Sequence, residues 1–225
     1  PKSGSYNTTA KYSGWKYLMG PSYGQYSTRI VGSILFHSVW YYSKDRTTQA
    51  VAQFNKLGTT ASHGCVRLST EDAKWVYNNC AVGTKVTFYK SSNPGPLGKP
   101  AAYKMPSSAG KMNWDPTDAS SKNPYYQTRP VLTQKYKTIN YGSSNDTARK
   151  LVTAKQQNGK SLKSLTITVT KWDAKKEKYV SAEFNNKKEG TYKIKYKAAG
   201  TKGESITNTS KLVAKDTPAP TTKAS

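Results

Sequence analysis

The chain has 225 residues, enough for one large domain or two ordinary ones and for a sizeable core. Its 36 Lys+Arg against 12 Asp+Glu give a net charge of +24, which draws polyanions: nucleic acid, teichoic acids and peptidoglycan carboxylates are all electrostatic partners, and charge alone does not choose among them. Two cysteines, Cys65 and Cys80, exclude a disulfide-rich scaffold, and no apolar stretch approaches the length of a membrane span.

In chain order, the first clear element is Gly32 to Val39 (GSILFHSV), a short apolar run with a histidine near its end that reads as a central strand. Tyr41 to Ala61 is polar without clean periodicity and reads as a long loop or short broken helix over a site. Ala61 to Leu68 (ASHGCVRL) combines small residues, a glycine and a return to apolar character. Ser69 then opens a helix start, an N-cap candidate with Glu71 and Asp72 in the first turn. Ala73, Val76, Tyr77 and Cys80 follow at helical spacing, and Gly83 ends the segment. Lys85 to Tyr89 (KVTFY) alternates as a strand does.

From Ser91 to Pro130 proline and glycine recur (Asn93-Pro94-Gly95-Pro96, Pro100, Pro106, Asp115-Pro116, Asn123-Pro124), the pattern of a segment that wraps a surface and builds no core. A domain boundary is expected near its end. Beyond it, Ser164 to Trp172, Lys178 to Phe184, Thr191 to Ala198 and Ser205 to Val213 are strand-like runs separated by turn signals, as in a small β-sandwich. In Tyr192-Lys193-Ile194-Lys195-Tyr196 a period of two puts Tyr and Ile on one face and Lys in water. Up to residue 124 there are 15 basic and 5 acidic residues (+10), and beyond it 21 and 7 (+14). The second part is the more basic, which suits attachment better than catalysis. The chain opens on Pro1 rather than Met and reads as a fragment, so a missing signal peptide does not argue for the cytoplasm.

The chemistry concentrates in Ser62-His63-Gly64-Cys65-Val66-Arg67. A cysteine after a glycine can sit on a sharp turn with its sulfur exposed and backbone N–H groups converging on one spot, as an oxyanion requires. A thiol is mostly protonated at neutral pH and needs a base or a positive field. Only two histidines exist, His63 beside the cysteine and His37 on the upstream strand, and a rigid strand aims an imidazole better. Three other readings stay open on the residues alone. Cys65 and Cys80 could pair as a disulfide, or both could be buried small hydrophobes. His37, His63 and Cys65 could hold a metal, although the usual second close pair of ligands is missing.

The pattern of His37-Ser38 followed by Ser62-His63-Gly64-Cys65-Val66-Arg67 resembles the signature of the L,D-transpeptidases (YkuD type). Phe36, Asp72-Ala73, Tyr77 and Gly83-Thr84-Lys85-Val86 agree with it, and Pro1-Lys2-Ser3-Gly4-Ser5-Tyr6 is similar to the family's Pro-x-Gly-x-aromatic entry with one residue extra. The resemblance covers roughly residues 1 to 90. It implies a mainly β protein: a β-rich L,D-transpeptidase sandwich with one or two short helices over residues 1–126, the Pro-rich wrap included. The second part resembles bacterial immunoglobulin-like modules through Gly190-Thr191-Tyr192-Lys193-Ile194-Lys195-Tyr196, giving a small immunoglobulin-like β-sandwich over 127–217 and a disordered tail over 218–225. Two departures stand out. The interval from His37 to Cys65 is longer than is usual, and the family's first strands are expected before Pro1.

By this resemblance Cys65 is the nucleophile and His37 the proton acceptor and donor, with its imidazole held by the Ser38 carbonyl. Gly64 and Cys65 N–H groups form the oxyanion hole, and His63 completes the catalytic set. Ser62 and Arg67 bind substrate, Arg67 either by pairing with a stem carboxylate or by pinning the loop. The implied reaction cross-links or trims peptidoglycan tetrapeptide stems through a Cys65 thioester, with no cofactor and no metal. Implied partners are those stems, anionic wall polymers and carbapenem-type inhibitors, in a secreted or wall-associated bacterial protein. The competing reading is a catalytically silent wall-binding or structural protein. A nucleic-acid binder would need aromatics and Lys clustered on one groove face, and no such motif occurs.

Overall fold

The structure, a computed structural model, describes residues 2–91, 101–135, 137–140, 142–144 and 146–215; the Pro/Gly run at 93–100 and the tail at 218–225 lie outside them. Contacts divide the chain into two units, Pro1–Arg129 with Lys202–Ser205, and Pro130–Thr201 with Ile206–Ser225.

In the first unit β1 (Gly4–Asn7), β2 (Ala10–Tyr17), β3 (Tyr23–Val31) and β4 (Ile34–Ser38) come before the polar interval. β2, β3 and β4 form an antiparallel meander. The expected strand at Gly32 to Val39 enters the ladder only at Ile34, because Gly32 (φ +51°) and Ser33 make the hairpin turn. The polar interval holds a 3₁₀ turn at Arg46–Thr48, β5 (Gln49–Ala50) and the single-turn α1 (Val51–Phe54). It returns the chain to β6 (Val66–Leu68), which runs parallel to β4 with His37 opposite Arg67 and Ser38 opposite Leu68. A parallel pair requires a crossover of this kind. The helix α2 (Thr70–Asn79) follows at once, and β7 (Lys85–Phe88) pairs back on β1.

The start of α2 is fixed locally. Ser69 Oγ accepts from the Asp72 N–H at 3.1 Å, and Glu71 and Asp72 sit where the helix dipole favours anions. The 101–129 segment departs from expectation. Besides β8 (Tyr103–Lys104) and β9 (Met112–Asn113, paired with β5), it supplies Met105 and Ala109 to a buried cluster with Val39, Val51 and Phe54. Val51 and Phe54 stand three apart on one face of α1, so the broken helix needs this cover, worth about 2 kcal/mol for each large side chain buried. The segment also brings in Asp115, fully buried. Its carboxylate accepts from Thr70 N, Thr70 Oγ1 and Gln49 Nε2 (2.8–2.9 Å) and from Thr117 N and Oγ1 (both 2.7 Å). Arg129 closes the segment on Glu71 of α2 at 2.7 Å.

The second unit contains a β10 (Pro130–Gln134)–β12 (Val152–Gln156) pair and a sheet ordered β11 (Thr138–Asn140), β16 (Ser205–Lys215), β15 (Gly190–Ala199), β13 (Ser164–Asp173), β14 (Lys178–Ser181). β11 runs parallel to β16; β13 pairs antiparallel with both β14 and β15. Along β15 the burial alternates as the period of two demands: Tyr192, Ile194, Tyr196 and Ala198 are buried while Lys193, Lys195 and Lys197 are exposed. Tyr192, Ile194 and Tyr196 join Ile139, Leu151, Val152, Leu212 and Ala214 in one core. The run expected to reach Phe184 leaves the sheet after Ser181, and Phe184 instead packs edge-on against Tyr192 with ring centroids 5.1 Å apart.

Candidate active site

The parallel β4–β6 pair carries the site. Ser62, His63, Cys65 and Arg67 converge with His37 on one cavity of about 680 Å³ in the first unit, whose wall also includes Met19, Ile34, Trp40 and Tyr42. The cavity thus gathers residues from the β2–β3 turn, from β4, from the turn into β6 and from β6 itself. Its size lies in the range of small-ligand clefts, roughly 300–1,000 Å³.

His37 is only 3% exposed, and its Nδ1 lies 2.6 Å from the Ser38 carbonyl oxygen. A carbonyl only accepts, so Nδ1 carries the proton and Nε2 is left as the basic nitrogen. Burial lowers the imidazole pKa to about 4; the bond to Ser38 works against that shift and the nearby Arg67 charge adds to it. Ser38 is itself buried, with its hydroxyl accepting from the Gln25 N–H at 2.9 Å and donating to the Val39 carbonyl at 3.0 Å. Gly24 packs directly on the ring: a Cβ there would stand 3.3 Å from His37 Nδ1 and 3.3 Å from its Cβ.

Cys65 and Cys80 are both free thiols, so the disulfide reading is excluded. Among the described residues no cluster of three His, Cys, Asp or Glu is placed to hold a metal ion. Cys65 sits half-buried at the turn into β6, its sulfur donating a long contact to the Ser33 carbonyl at 3.6 Å rather than to His37. The turn is braced from within. Ser62 Oγ donates to the Cys65 carbonyl (2.5 Å) and accepts from the Gly64 N–H (3.2 Å), which engages the Ser62 hydroxyl and one expected oxyanion donor. The Cys65 N–H has no partner among the described residues. Gly64 holds φ +144°, and a Cβ there would lie 2.5 Å from Ile34 Cδ1, so the turn admits only glycine.

His63 stands exposed at the rim. Arg67 donates to Gln53 Oε1 of the crossover at 2.7 Å, and partial burial lowers its pKa, with the neighbouring Cys65 acting against that shift. Lys16 and Arg29 line the same cavity, and among the described residues no carboxylate does. Sequence reading missed Gly24, Ser33, Gln53, Lys16 and Arg29. Each comes in through tertiary contact, with no local pattern to mark it.

Residues 2–88 match the family model described as YkuD, the L,D-transpeptidase catalytic domain. A Bacillus subtilis (strain 168) protein named "Putative L,D-transpeptidase YciB" is 51% identical over 55 residues, which is 24% of this chain and 27% of that protein's length. A crystal structure of a fused Zn-dependent amidase/peptidase/peptidoglycan-binding domain-containing protein from Clostridium acetobutylicum ATCC 824 shares 30% identity over 39% of this chain and 34% of its own, with a TM-score of 0.27, too loose a superposition to bear on the fold. The meander, the parallel β4–β6 pair and the Ser-His-Gly-Cys turn all fall inside the matched stretch: residues 2–88 are an L,D-transpeptidase catalytic domain of the YkuD family.

Proposed function

We propose that the protein cross-links or trims peptidoglycan stem peptides as a cysteine acyltransferase, with Cys65 as nucleophile and His37 as base. The observation that carries this reading is the neutral, tautomer-fixed His37 lining the same cavity as the free Cys65 thiol. The thiol turns from Ser33 toward the ring, and Nε2 takes its proton as sulfur attacks the carbonyl carbon of the third stem residue. The tetrahedral oxyanion is met by the Cys65 N–H, joined by the Gly64 N–H once Ser62 releases it. His37 returns the proton to the amine of the terminal D-Ala as that bond breaks, leaving a thioester. An acceptor side-chain amine then gives up a proton to His37 and attacks the thioester, which forms the cross-link and regenerates the thiol. Water in its place gives the trimmed stem.

Arg67, Lys16 and Arg29 make the cavity cationic and match the free carboxylates of a stem peptide. Arg67 also ties β6 to the crossover through Gln53, so its two expected roles are compatible. The second unit, an immunoglobulin-like module in this reading, attaches the enzyme to anionic wall polymers through lysines such as those exposed on β15. These partners place the protein outside the cytoplasm, secreted or on the wall. The test is to incubate the protein with defined tetrapeptide muropeptides and read the products by mass. Loss of one alanine, alone or with formation of a dimer, is expected; unchanged muropeptides with a folded protein favour the silent wall-binding reading.

A further inference from the structure

A second cavity, of about 430 Å³, lies in the first unit and shares no lining residue with the cysteine cavity. Its wall is made by α2, by Tyr26 of β3 and by the segment from Thr117 to Tyr126. Trp75 lines it while remaining 61% exposed, on a helix whose buried residues are only Thr70 and Ala73. An indole left largely out of the core on a groove wall offers a flat apolar face with an N–H donor at its edge. Tyr26 holds φ +52°, a backbone state rarely taken by an aromatic residue, and so presents its ring at this wall under strain.

The polar lining is equally specific. The lining itself holds two cations, Arg46 and Lys74, and two carboxylates, Glu71 and Asp118, with Glu71 also paired to Arg129, so it carries little net charge in a chain of charge +24. That balance disfavours a polyanion. Asp118 is 3% exposed. Its Oδ1 accepts from Arg46 at 3.0 Å and from the Ser120 N–H at 3.0 Å, while its Oδ2 is buried with no partner among the described residues. A lone buried acceptor is costly unless a donor reaches it. Asn78 and Asn79 add both donors and acceptors to the same wall. An aromatic face beside amides and a carboxylate is the chemistry that fits a sugar, whose ring has an apolar C–H face and hydroxyls around its edge.

We propose that this groove is a saccharide subsite for a neutral N-acetylated glycan strand, with the Trp75 indole stacking on a sugar ring and Asn78, Asn79 and Asp118 receiving its hydroxyl and acetamido groups. The identity of that strand as the wall glycan rests on the stem-peptide reading of Cys65. Cys65, β6, Ser69 and α2 follow one another directly in the chain, so a glycan held on α2 lies on the element that follows the nucleophile's strand. The subsite would orient a glycan-borne stem toward the cysteine turn.

The test titrates the full chain calorimetrically with the β-1,4-linked tetramer of N-acetylglucosamine. Saturable binding is expected in the parent and in Cys65→Ala alike. Trp75→Ala, a surface change, should weaken it at least about tenfold, with Trp75→Phe in between. Turnover of a glycan-free tetrapeptide should be unchanged in Trp75→Ala, whereas KM for glycan-linked substrate should rise. No saturable binding, equal affinity in Trp75→Ala, or displacement by polyglycerol phosphate at constant ionic strength would overturn the subsite. Glycan binding without any acylation of Cys65 would support the subsite and overturn the catalytic reading instead.

Discussion

The Nδ1 atom of His37 lies 2.6 Å from the carbonyl oxygen of the next residue, Ser38, so the strand that places the imidazole also fixes its tautomer. Burial and the Arg67 charge then keep the ring neutral down to a pKa of about 4. The neutral imidazole, the form the proposed base requires, is therefore present above that pH and lost as pH falls through it. The acid limb of kcat/KM on a stem peptide should sit near 4, and Arg67→Gln should move it upward by removing a repelling charge. A limb near 6.5, the ordinary histidine value, would contradict this account.

The same shift has a stability consequence. The unfolded chain binds the His37 proton below about 6.5 and the folded chain only below about 4. The contribution is thus present above pH 6.5 and is lost as pH falls from 6.5 to 4, by about 3 kcal/mol in all. Denaturant midpoints measured across that window should fall, and His37→Phe should flatten the slope.

Gly24→Ala should cut activity with little loss of fold. Its methyl group would press on His37 at 3.3 Å and on Leu18 Cδ1 at 3.2 Å, closer than ordinary contacts. A displaced ring costs alignment, for which a loss of about 10²-fold in kcat is the expected scale. An unchanged kcat would show that the ring position is not critical.

Asp115→Ala should destabilise the first unit by about 3 kcal/mol or more, because the buried donors of Thr70, Gln49 and Thr117 would lose their acceptor together. Asp115→Asn should cost less. Chemical denaturation followed by fluorescence measures both.

Retention on purified sacculi should weaken steeply with salt, and the triple change Lys193→Glu, Lys195→Glu, Lys197→Glu should lower it further. All three lysines face out from β15, and screening limits their field to about 8 Å at physiological ionic strength. Salt-independent retention would point instead to a specific pocket.

What could be read from the sequence was what local spacing encodes. The alternation of β15 and the Ser69 start of α2 depend on residues two or three apart, and both appear where the pattern puts them. The convergence of His37 and Cys65 on one cavity was legible through the Ser-His-Gly-Cys context and the scarcity of histidine. The supports were not. Asp115 reaches Thr70 across 45 positions, and its Asp-Pro context reads only as a turn. Gln53 meets Arg67 through an α1 of four residues, too short for any helical period to show. Met105 and Ala109 pack into a core from a stretch whose prolines suggest only a surface wrap.

The most direct measurement is intact-protein and peptide mass spectrometry after incubation with a carbapenem, on the parent, Cys65→Ala and Cys80→Ala. The account predicts a single covalent adduct on Cys65, absent from Cys65→Ala, unaffected by Cys80→Ala and suppressed by His37→Ala. An adduct on Cys80, or full acylation of Cys65 at an unchanged rate without His37, would contradict it.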